Sequence, residues 1–216
     1  MFRSVLSQHA QVALGVLGKS DIVHAGYLAG GSALALRLGH RISVDFDFFS
    51  PNEFDSLSMS RSLALLAEFI EDTREKNTLL GVFNGVKYSY FYYPYPLLER
   101  GDIYDGVVIA SVLDIAVMKL AAIMDRGIKR DFIDLYMITK QGMVLDEIFS
   151  LYDRKYGLLH ANKVSLLKSL SYFDDADKSD MPQMLVPVVW DNVKQVFIAE
   201  SVRLGKKYLE GNEAAK

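Results

Sequence analysis

The sequence predicts an α+β protein in two parts. Residues 1–110 form an α/β domain, and residues 111–216 form an almost wholly helical region. Three observations predict it. Tyr27-Leu28-Ala29 is a short apolar run that stops at Gly30-Gly31, ahead of a leucine-rich helical pattern and a second apolar run over 44–49. Residues 78–83 and 86–93 are two strand-like runs joined by Asn84-Gly85, a pair that favours a tight hairpin turn. From Ser111 onward, apolar residues recur at helical spacing.

In order along the chain, Val5, Leu6, Val12, Ala13, Val16 and Leu17 predict a helix over 4–18. A strand over 27–29 ends at the glycine pair. Ser32 opens a helix that carries Ala33, Leu34, Leu36 and Leu38 and stops at Gly39. The strand over 44–49 alternates faces, so Val44, Phe46 and Phe48 point one way and Asp45 and Asp47 the other. A helix over 55–69, with Leu63, Leu66, Ala67 and Ile70 as its apolar face, precedes the hairpin. A further strand is expected over 107–110. Ser111 and Asp114 read as a capping box with Asp in place of Glu. Its helix runs to about residue 125, and helices over 130–140, 144–156, 161–171 and 189–209 follow. The acidic stretch 174–182, closed by Pro182, reads as a linker.

The 216 residues suffice for one large domain or two small ones. A net charge of −3 carries no global field for nucleic acid, although a local basic face remains open. The absence of cysteine excludes disulfides and thiolate metal sites. No stretch approaches the ~20 apolar residues of a membrane span, and the N-terminus lacks the unbroken apolar core of a signal peptide. The expectation is a cytoplasmic protein with no membrane partner.

A strand, a Gly-Gly turn and a helix start expose backbone N–H groups suited to phosphate, and Ser32 adds a hydroxyl. The plain alternative is a tight turn. Asp45 and Asp47 lie about 7 Å apart on one strand face. Carboxylates that close repel unless a cation lies between them. Mg²⁺, held by one or two carboxylates plus phosphate oxygens, fits that pattern. The alternative is an exposed strand end made soluble by charge. His40 and Arg41 could bind phosphate or pair with Asp45 and Asp47, and Arg37 is expected in solvent. Tyr88, Tyr90, Phe91, Tyr92, Tyr93 and Tyr95 are expected mainly in the core and sheet, with base stacking as the sharper reading.

The combination of Gly-Gly-Ser, a helix and Asp-x-Asp resembles the nucleotidyltransferase superfamily. The fuller string LAGGSALALRLGHRISVDFDFFS, with VLDIAVMKLAAIMDRGIKRDFIDLYMI at 112–138, resembles the AbiEii/AbiGii-type toxin nucleotidyltransferases. The resemblance implies a polymerase beta-like mixed sheet followed by a helical C-terminal part that carries the Lys and Asp motifs. It implies that Gly30, Gly31, Ser32 and Arg41 meet nucleotide phosphates and that Asp45 and Asp47 hold Mg²⁺. It also implies that Lys119 approaches a phosphate or the base, with Asp131 and Asp134 meeting the nucleotide or orienting Lys119. From residue types alone, Lys119 is an ordinary surface lysine, and Arg130 and Asp134 form an i,i+4 helix pair.

The resemblance further implies transfer of a nucleoside monophosphate from a nucleoside triphosphate to RNA, such as a tRNA 3′ end, and a cognate antitoxin partner. One departure stands out. Many polymerase-like members carry a third carboxylate on a later strand, and 86–93 has no acid. That role passes to Asp114, Asp131 or Asp134, or to another group, or the site is catalytically impaired. The alternatives are therefore a nucleotide-binding or protein-interaction module of the same fold, and a transferase acting on a small molecule such as an antibiotic.

Overall fold

The computed structural model describes residues 1–157 and 163–210. The chain divides into two compact units, Met1–Ile115 and Ala116–Lys216.

In the first unit, Ser7 caps α1 (Gln8–Gly18) by accepting from the Ala10 amide at 3.1 Å. The buried face of α1 is Ala10, Ala13, Leu14 and Leu17, while Val12, expected inside, is 57% exposed. Then come β1 (Tyr27–Ala29), α2 (Gly30–Leu38), β2 (Asp45–Ser50), α3 (Ser56–Leu66), β3 (Phe69–Glu75), β4 (Thr78–Phe83), β5 (Val86–Tyr92), β6 (Asp102–Tyr104) and β7 (Val107–Ile109). The strands form one seven-stranded mixed sheet in the order β3-β4-β5-β2-β1-β7-β6. β1 and β2 run antiparallel, whereas β2 pairs with β5, and β1 with β7, in parallel.

Two strands depart from expectation. The predicted helix over 55–69 ends as α3 at Leu66, and Ile70 lies on β3 rather than on a helix face. β3 is an edge strand rich in charge, the usual defence of an exposed ladder, so it shows no apolar alternation. β6 was likewise unforeseen, yet its turn carries a signal: Asp105 (φ 47°) and Gly106 (φ 82°) repeat the left-handed pair found at Asn84 (φ 49°) and Gly85 (φ 74°).

One face of the sheet is packed with Phe46, Phe48, Leu79, Phe83, Tyr88 and Tyr90, all buried. Phe48 stacks between Tyr88 and Tyr90 at 5.5 and 6.1 Å. Arg37, expected in solvent, is instead a latch. Its guanidinium donates to the Ala110 and Ile109 carbonyls at 2.5 and 2.9 Å and pairs with Asp102 at 2.8 Å.

The helix α4 (Val112–Asp125) crosses the division between the units. At its start the Ser111 hydroxyl accepts from the Asp114 amide at 2.9 Å. The Asp114 carboxylate accepts from that hydroxyl and from the Leu98 and Glu99 amides at 2.9, 2.9 and 3.1 Å. Asp114 is fully buried and pins the 94–101 segment, a structural duty.

The second unit holds the rest of α4, then α5 (Lys129–Lys140), α6 (Leu145–Tyr156), α7 (Lys163–Ser169), α8 (Asp174–Lys178), α9 (Trp190–Gly205) and a π-helical turn, Lys206–Glu210. The helix expected over 161–171 is described only from Lys163. Phe132 of α5 meets Phe173 at 5.1 Å and Phe197 of α9 at 5.3 Å, which makes an aromatic core. The expected linker over 174–182 is not one. Its acids suit the first turn of α8, Ala176 is buried, and Asp177 accepts from Trp190 Nε1 at 2.6 Å. No helix among the described residues is long and apolar enough to cross a membrane.

Candidate functional site

The first group of candidates forms around the start of α2. Ala29, the residue ahead of α2, is extended and makes no side-chain cap bond to the helix. Gly30 has φ +67°, and a Cβ there would meet Asp47 Oδ2 at 2.9 Å. Only glycine satisfies both the left-handed backbone and the close approach of the carboxylate. A Cβ on Gly31 would lie 2.3 Å from Arg41 Nη2, so the guanidinium packs directly on this turn. Arg41 is 5% exposed and donates to the Ile42 carbonyl at 3.0 Å. A guanidinium at a helix N-terminus adds positive charge to positive charge, an arrangement favourable to a bound anion.

Ser32 faces inward. It is buried, donates to the Asp45 carbonyl, and lies 2.9 Å from Ser43 Oγ. Its hydroxyl ties α2 to the start of β2, so contact with an anion here falls to backbone amides. Ser43 was not foreseen, because its bond to Ser32 arises only in the folded chain. Asp45 and Asp47 are half-buried on the sheet face opposite the aromatic core. Ladder register places Lys87 of β5 beside Asp45 and Ser89 beside Asp47. The strand lacking an acid is therefore the direct neighbour of the acidic pair.

Replacing Gly30 by Ala is expected to cost about 1–2 kcal/mol of stability from the left-handed backbone alone. The same change should weaken triphosphate binding by displacing Asp47. Thermal unfolding and calorimetry with a non-hydrolysable triphosphate separate the two effects.

The second group lies in the second unit. Lys119 Nζ is 2.9 Å from Asp131 Oδ1 and 2.6 Å from Asp134 Oδ2. Arg126 grips Asp131 with Nε and Nη2 at 2.9 and 3.0 Å. Both carboxylates are fully buried and Lys119 is 4% exposed, so the surface-lysine reading fails. Asp134 pairs across helices with Lys119, rather than along α5 with Arg130 as spacing suggested. Arg126 completes the cluster, and its signal was available: it stands two turns after Lys119 on the same helical stripe.

Burial raises the Asp131 pKa, but Lys119 and Arg126 outweigh it and hold the carboxyl below the usual carboxylate range. A depressed folded pKa stabilises above the unfolded value and is lost as pH falls through the folded one. Acid below about pH 4 should therefore loosen this cluster. In an Asp131→Asn variant, stability between neutral pH and pH 3 should slope less steeply.

Among the described residues no group of three or more His, Cys, Asp or Glu side chains is placed to hold a metal ion. A divalent ion at the first group would draw on Asp45 and Asp47 and on oxygens of its nucleotide. Two hard carboxylates on one strand face fit Mg²⁺ bound in that way.

The family model for the AbiEii nucleotidyl transferase toxin of type IV toxin–antitoxin systems matches residues 20–102. An uncharacterized protein of Aquifex aeolicus is 41% identical over 189 residues, which cover 85% of this chain and 88% of that protein. Among solved structures, MenT4, a nucleotidyltransferase toxin of Mycobacterium tuberculosis, aligns with a TM-score of 0.54 at 14% identity, over 91% of this chain and 86% of its own. A Helicobacter pylori protein described as a candidate nucleotidyltransferase aligns with a TM-score of 0.50 at 16% identity, over 94% of each chain. These two likenesses bear on the fold, a nucleotidyltransferase-type mixed sheet.

Proposed function

The chain belongs to the AbiEii nucleotidyl transferase toxin family, and from that premise we propose that it transfers a nucleoside monophosphate from a nucleoside triphosphate to an RNA acceptor, such as a tRNA 3′ end, releasing pyrophosphate. The observation that carries this reading is Gly30 pressed against Asp47 at the uncapped start of α2. It sets an anion cradle beside a carboxylate pair.

The amides of Gly30 and Gly31 and the Arg41 guanidinium hold the β- and γ-phosphates. Asp45 and Asp47 hold Mg²⁺, which when bound offsets charge developing on the α-phosphate and the departing pyrophosphate. The acceptor oxygen forms a bond to the α-phosphorus, the bond to pyrophosphate breaks, and the acceptor proton passes to water. Lys119 is held between Asp131 and Asp134, at 2.9 and 2.6 Å, which fixes the direction of its ammonium group. The 1–110 region carries the triphosphate and metal, and a cognate antitoxin restrains the protein.

Incubating the protein with each labelled nucleoside triphosphate, Mg²⁺, and RNA, protein or small-molecule acceptors tests the reading. Label on RNA, lost with a chelator, is the expected result. Lys87 and Ser89 in place of an acid on β5 favour one rival, a nucleotide-binding module without turnover. Triphosphate binding with no transfer to any acceptor would establish that rival.

A further inference from the structure

The geometry points to a base-stacking shelf for the acceptor, built from Phe49, Phe91 and Tyr93 beside the carboxylate pair; this rests on the transferase reading above.

Phe49 follows Asp47 by two residues on β2 and shares its face, about 7 Å further along the strand. Ladder register sets Phe91 beside it. Phe49 lies 5.8 Å from Phe91 and 5.1 Å from Tyr93, and all three side chains are half-buried. The aromatic core on the opposite face is already filled by Phe46, Phe48, Tyr88 and Tyr90. These three rings are therefore additional to it, on the face that also carries Tyr27, Asp45, Asp47, Lys87 and Ser89. Tyr27, 2% exposed and paired with Phe49 across the ladder, stacks beside that ring at 6.0 Å and 25° and holds it in place.

Direction along β2 decides what the shelf receives. Ala29 pairs with Asp47 and Tyr27 with Phe49 in an antiparallel ladder. The chain past Ala29, at Gly30 and Gly31, thus lies toward Asp45, and Phe49 lies on the other side of Asp47. In phosphoryl transfer the attacking and leaving oxygens are roughly in line. With pyrophosphate leaving toward the glycine turn, the acceptor approaches from the aromatic side. Half-buried rings there, with Phe91 tilted 36° and Tyr93 68° to Phe49, offer apolar faces to the unpaired terminal base of a single strand, whose π-face stacks whatever its identity.

The test uses the full chain and two short single-stranded RNAs. One ends in adenosine. The other ends in an abasic ribose that keeps its hydroxyls. Wild type should prefer the base-bearing end in acceptor KM and in binding anisotropy by about 5- to 150-fold. Phe91→Leu and Tyr93→Leu, which leave the Phe49–Tyr27 stack intact, should erase that preference without moving the KM for the triphosphate. Equal binding and use of both RNAs by wild type overturns the shelf, as does transfer confined to protein or small-molecule acceptors. An Asp45→Asn, Asp47→Asn protein that still transfers overturns the underlying site assignment instead. The RNA preference is read by binding alone, so the two failures are distinguishable.

Discussion

Replacing Asp45 and Asp47 together by asparagine is expected to lower transfer by at least about 1,000-fold while leaving the sheet intact. The rate follows from what the carboxylates are assigned to hold. Lewis-acid stabilisation of a transferring phosphoryl group is worth several kcal/mol, and each tenfold in rate is about 1.4 kcal/mol. Stability follows from where they sit. Both are half-buried on the face away from the aromatic core, so asparagine fits without a cavity. Asparagine keeps the shape and an oxygen acceptor in each side chain, so the protein should still unfold cooperatively. Titrating the double variant with Mg²⁺ and triphosphate by calorimetry should show the metal-dependent part of binding lost. A variant that turns over at the wild-type rate removes these residues from the site.

The local half of this site is legible in the sequence because local chemistry sets it. A glycine pair before a helix and an acid alternation on a strand report their geometry within a few residues. What the sequence hid was tertiary. Arg41 is ten residues from Gly31, and nothing in that spacing says its guanidinium packs on the glycine. Arg37 looked solvated because its partners, the carbonyls of Ile109 and Ala110, are more than seventy residues away. The helix expected over 55–69 runs into the start of β3, and the rest of that strand gives no signal, because an edge strand pairs through backbone and needs no alternating apolar face. β6 was missed although Asp105-Gly106 is the same turn chemistry as Asn84-Gly85; with only three residues per strand, periodicity had too little to work on. The stretch 174–182 looked like a linker by composition, but composition does not register one buried alanine and an aspartate bonded to Trp190.

The cluster around Lys119 gives the second large effect, and there stability and activity can be separated. Lys119→Met strips a buried cation from Asp134 and Asp131. Breaking a buried pair in this way costs about 3–5 kcal/mol, because the remaining carboxylate is left in low dielectric without its partner. For a chain of this size each kcal/mol moves the midpoint by roughly 2–4 °C. Asp131 keeps Arg126, so part of the cluster's charge stays compensated. Adding Asp134→Leu to Lys119→Met removes both charges and puts apolar atoms in their place, a change that is often neutral or stabilising. The double variant should regain most of the midpoint. If Lys119 serves the reaction as well as the fold, transfer stays lost in the double variant despite restored folding. If activity returns with stability, Lys119 is a structural cation. A Lys119→Met protein whose midpoint does not fall would remove the premise that this ion pair is sealed from water.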